Sequence, residues 1–302
     1  MHLRIGLRAL GAILTVWATG AFAMAASAAS PVRVVAAESS YGSVVETIGG
    51  SHVKVVSLLD SPSVNPHQFE ASPRIGRQLA NANLVVMNGL GFDGWMEPLL
   101  SGTSNPKRVV IRAADAASGI VSSDKNEHLF YSPQAMLATA SQVAGALARI
   151  DPAHTAAYRQ GLVRFQAQML GVYGALQKLI AAHPNLTVTA TVPVYNYMLA
   201  LLGYHELYRD IQYASEENSQ PSAQQVKTFI QALQQHKVDL LIYNVQVHNR
   251  LTDQEVQTAR DSGVPTVGVS AIPLHGENYA QWQIKQLKAI KQALDKGSAK
   301  SS

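Results

Sequence analysis

Two histidines sit in loops whose composition suits metal binding. His67 lies in the polar run Asp60-Ser61-Pro62-Ser63-Val64-Asn65-Pro66-His67-Gln68-Phe69-Glu70, between prolines and an aromatic residue. His128 lies in Asn126-Glu127-His128-Leu129-Phe130-Tyr131. Imidazole is the commonest neutral metal ligand, and two from separate loops can converge on one ion. A single surface histidine is more often just solvated, so the case rests on both loops following strand-like segments. The chain has no cysteine, which excludes thiolate metal sites and disulfides. Gly89-Leu90-Gly91-Phe92-Asp93-Gly94 is a formal G-x-G-x-x-G after a strand. Pro98 follows too soon for a long helix, and the run lies outside the first βαβ unit. It reads as a turn, with no organic cofactor and no cofactor-binding residues. No Gly-x-Ser-x-Gly elbow, His-Glu-x-x-His pair or phosphate loop is present, so no catalytic residues are assigned and the chain reads as a non-enzyme.

The elements that must carry these loops alternate between strand and helix. In the first half, strands are expected at 32–37, Val53–Leu59, Leu84–Met87 and 109–111, with helices at 41–48 and from Ser72-Pro73 to Asn81. In the second half, strands are expected at 187–191, 238–243 and 264–269 and helices at 194–202 and 279–294. Ser222-Ala223-Gln224-Gln225 and Thr252-Asp253-Gln254-Glu255 read as capping boxes opening two more helices. Such alternation implies mostly parallel sheets with ligands at the C-terminal strand ends. Between the halves, Asp151-Pro152 is a helix start and His183-Pro184 a stop. Tyr158, Leu162, Phe165, Met169, Val172, Leu176 and Leu179 form one apolar stripe between them, despite Gly161, Gly171 and Gly174. The expected architecture is α/β: two lobes, each with a mostly parallel sheet flanked by helices, joined by one long spine helix.

Residues 1–28 stand apart. Arg4 and Arg8 precede an apolar run that ends at the small-residue site Ala26-Ser27-Ala28, which reads as a secretory signal peptide cleaved near Ala28. Its loss lowers the formal net charge from +4 to +2 and leaves no basic stripe for nucleic acid. At 47% hydrophobic and 15% charged, the remainder suits a well-packed exported protein.

Together the loops resemble those of the ZnuA/TroA-type substrate-binding proteins of bacterial zinc and manganese ABC importers. Asn65-Pro66-His67-Gln68-Phe69-Glu70 is similar to the family's D-P-H-x-[YF]-E loop, and residues 126–133 to its N-P-H-x-W-x-D-P loop. Leu241-Ile242-Tyr243-Asn244-Val245-Gln246 and Gly263-Val264-Pro265-Thr266-Val267-Gly268-Val269 resemble its L-[IV]-Y-N-x-Q and G-[IV]-P-V-V-x-V strands. The resemblance implies an N-terminal metal-binding lobe (29–131), a helical linker including the spine (132–184) and a C-terminal lobe (185–302). It also implies a periplasmic monomer that captures an ion for a membrane permease, meeting the membrane only through that permease. His67 and His128 take the first two ligand positions. At the third and fourth, where the family carries Glu or His and then an acidic residue, this chain has Val192 and Ser270-Ala271. Glu38, His248 and His275 are the candidates for compensation. Glu38 reads equally as a helix-start carboxylate, and the two histidines as solvated loop residues. Zinc is expected over manganese because the retained ligands are imidazoles. A same-fold protein that has lost tight metal binding, serving as a metal shuttle, chelate receptor or degenerate copy, is the alternative.

Overall fold

Parallel strands with helical crossovers build both halves of the chain. The computed structural model describes residues 30–301 apart from Asn65, His67, Gln68, Glu70, Ala71, Glu217, Asn218, Leu274 and His275. The segment expected to be a signal peptide (1–28), His67 and His275 thus lie outside the described residues. Residues 31–302 form one compact unit.

In the first lobe β1 (Val32–Glu38), α1 (Ser39–Gly49), β2 (Val53–Leu59), α2 (Pro73–Asn81), β3 (Leu84–Met87), α3 (Met96–Ser101), β4 (Val109–Arg112) and α4 (Ala113–Ala116) give a sheet of order β2-β1-β3-β4. Val34 is level with Val55 on one side and Leu84 on the other, every pairing being parallel. The helix α5 (Pro133–Ile150) leads to α6 (Thr155–Ala182), the spine. The second lobe holds β5 (Thr187–Ala190), α7 (Asn196–Leu202), β6 (His205–Glu206), α8 (Arg209–Glu216), α9 (Ala223–Gln234), β7 (Leu240–Asn244), α10 (Arg250–Asp261), β8 (Thr266–Val269) and α11 (Tyr279–Ser301), with sheet order β6-β5-β7-β8, again parallel. In each sheet the chain winds one way and then the other from its first strand. This leaves a crevice beyond the strand ends at β1/β3 and at β5/β7, where open α/β sheets take ligands.

The spine spans 28 residues, about 42 Å at roughly 1.5 Å per residue. Its stripe is buried except for half-buried Leu162. Asp151 does not cap it. Its carboxylate instead accepts from His154 Nδ1 (2.6 Å) and the Tyr158 hydroxyl (2.7 Å), while Pro152–His154 form a separate 3-10 turn. One apolar core runs from the first sheet's Val34 and Val86, across the spine's Phe165 and Met169, to the second sheet's Val188 and Ile242. Across that core the Tyr131 hydroxyl donates to the Ser270 carbonyl (2.7 Å) and Tyr279 to the Phe130 carbonyl (2.8 Å).

The capping box at Ser222 and Gln225 forms as read. The other lies three residues upstream of its expected place. Asn249 caps α10 by accepting from Leu251 and Thr252, and Thr252 Oγ1 accepts from the Asn249 N–H (3.1 Å). Asn at an N-cap is as good as any residue, so the helix gains a turn and Glu255 falls inside it. There Glu255 is fully buried, and burial pushes its carboxyl up to about 8 from an ordinary 4.5. Between those pH values the folded chain keeps this proton and the unfolded chain has released it. Its contribution to stability is thus complete below about pH 4.5 and falls as pH rises to about 8. Glu255→Met removes the linkage. Its stability advantage over the parent, measured by urea unfolding, should widen from pH 5 to pH 8 by on the order of 3–4 kcal/mol. A gap independent of pH would contradict this assignment.

Candidate metal centre

His128 follows the loop after α4, where the chain turns back towards α5. Asn126 sets its geometry. Asn126 Oδ1 accepts the His128 N–H (2.9 Å) and lies 2.9 Å from His128 Nδ1, while Asn126 Nδ2 donates to the Pro193 carbonyl of the second lobe (2.7 Å). A carbonyl acceptor on Nδ1 assigns a proton to that nitrogen, so in the neutral ring Nε2 is the nitrogen able to ligate a metal. The ring is buried, with Phe92 and Phe130 edge-on at 5.6 and 5.7 Å. Nε2 lies 3.8 Å from Glu216 Oε1, at the C-terminal end of α8 in the other lobe. Glu127, His128 and Glu216 each bring a donor atom within 4.8 Å of the others', the one such group among the described residues.

Glu38 is not in that group. It ends β1 fully buried, and no donor from another residue reaches its carboxyl oxygens among the described residues. Burial first, then the charge of Asp93, pushes its carboxyl well above the usual carboxylate range. Asp93 accepts from the N–H groups of Asn88 (2.6 Å) and Gly89 (2.8 Å), yet burial still lifts it to about 6. That carboxylate closes the glycine-rich run into a turn, with Gly89 and Gly91 at positive φ.

His248 is largely exposed at the start of α10. Its ring nitrogens lie 3.0 Å from the Val245 carbonyl and 3.3 Å from Asp253 Oδ1, apart from the His128 group. Val192 and Ala271 are sealed in the core. Gln246 spans the lobes beside them, accepting from the Ala271 N–H (2.7 Å) and donating to the Val64 carbonyl (2.8 Å) of the loop that carries His67.

A family signature described as zinc-uptake complex component A, periplasmic (ZnuA) matches residues 34–293. The chain belongs to the ZnuA family. Among related proteins, the manganese-binding lipoprotein MntA of Bacillus subtilis is 26% identical over 148 residues, spanning 47% of this chain and only 48% of that lipoprotein. The iron-binding protein YfeA of Yersinia pestis is 20% identical over 75% of this chain and 72% of its own. The periplasmic zinc-binding protein TroA of Treponema pallidum, at 17% identity, superposes with a TM-score of 0.73 over 88% of this chain and 99% of its own, which establishes a common fold.

Sequence reasoning missed Glu127 and Glu216. Glu127 carried a signal, since it stands where the ZnuA family loop places the proline of N-P-H. Glu216 carried none: it ends a short helix, away from any strand end.

Proposed function

We propose that this ZnuA-family protein captures a divalent transition-metal ion, zinc ahead of manganese, outside the cytoplasmic membrane and delivers it to an ABC permease. Buried His128 carries the reading, with Nε2 turned by Asn126 into the seam between the lobes. His67, on the loop that Gln246 holds, is the second imidazole. Capture involves no catalysis: the ion sheds water, docks on the imidazoles and ties loops of the first lobe to the second. Export by the leader at 1–28 suits this role, and no helix among the described residues is long and apolar enough to cross a membrane. For one mixed nitrogen and oxygen site, divalent affinity rises from manganese through iron to zinc.

Calorimetric titration of the mature chain tests the order. Zinc should bind at one site and at least tenfold more tightly than manganese, and the reverse order would reject the zinc assignment. A second reading, a ZnuA-family fold that has let tight binding go, is favoured only by the apolar Val192 and Ala271. It requires that neither ion bind.

A further inference from the structure

We infer that Glu216, with Glu127 beside His128, supplies the acidic ligation that Val192 and Ala271 cannot, so that the second lobe closes on the ion through α8. This rests on the metal-capture reading above and names the closing ligand. Spacing is the first argument. His128 Nε2 and Glu216 Oε1 are 3.8 Å apart, too far for a hydrogen bond. Nitrogen and oxygen donors at about 2.0–2.1 Å from a tetrahedral zinc lie roughly 3.3–3.4 Å from each other. A shift of about half an ångström would bring this pair to that ligand spacing.

Positioning is the second. Arg209, at the other end of α8, pairs with Asp124 of the first lobe and with Glu206 (3.0 Å) of its own. Asp124 also accepts from Ser122, two residues along the loop that leads to His128. The helix bearing one donor is thus clamped to the loop bearing the other two. Charge is the third argument: two carboxylates balance a divalent cation while the imidazoles stay neutral. Val192 offers no such route, because a carboxylate there would be buried among apolar side chains.

The test uses the mature chain, with zinc and with cobalt as its coloured surrogate. Glu216→Gln keeps the size and removes the anionic oxygen. It should weaken zinc at least tenfold and alter the cobalt d–d spectrum, leaving the metal-free melting temperature within a few degrees of the parent. Glu216→His, which restores a ligand atom, should recover most of the affinity, and it decides the matter if the glutamine variant fails to fold. Val192→Glu should not tighten zinc. A parent that binds zinc with Glu216→Gln equal to it overturns the inference and leaves metal capture intact. A parent that binds neither ion overturns both.

Discussion

His128→Ala should abolish metal capture, lowering zinc affinity at least a hundredfold, which corresponds to about 2.7 kcal/mol. Among the described residues, its ring is the one imidazole grouped with two carboxylates. Because the ring is buried and tied to Asn126, the variant should also lose about 1–3 kcal/mol of metal-free stability. Calorimetry gives the first number and urea unfolding the second. Parental zinc affinity in this variant would mean that the ion sits elsewhere.

Gly161→Ala should be the most damaging methyl that can be added to the spine. A β-carbon there would lie 2.0 Å from the Ile48 carbonyl oxygen, so α6 touches the backbone of α1 directly. Helix propensity alone favours alanine by about 1 kcal/mol, but the two helices must part to admit it. Overpacking against backbone should win, for a net loss of about 2–4 kcal/mol and a melting temperature lower by roughly 5–15 °C. Gly174→Ala is the internal control. Nothing lies within 4 Å of its β-carbon, so the same change should stabilise by up to about 1 kcal/mol. Equal effects at the two positions would contradict the close contact.

The spine was legible because seven apolar residues repeated at helical spacing leave one solution, and only Leu162 of them is less than fully buried. The parallel sheets followed from strands separated by helices. The strand β6 was not legible: two residues, His205–Glu206, carry no alternation and pair only because β5 offers an edge. The Asn249 cap was hidden by a second capping pattern three residues on, which local sequence could not rank. At the candidate centre the sequence puts His128 in a loop, and Asn126 two residues earlier is a natural partner for its ring. Glu216 reaches that ring only through the packing of α8, held by an Arg209–Asp124 pair between residues 85 positions apart. No spacing rule carries such a contact.

The most direct measurement is the metal content of the protein purified after export, with neither chelator nor added metal, by inductively coupled plasma mass spectrometry. The predicted result is close to one equivalent of zinc per chain, lost in His128→Ala. A parent chain recovered free of metal, and taking up neither zinc nor manganese on dialysis, would contradict the account.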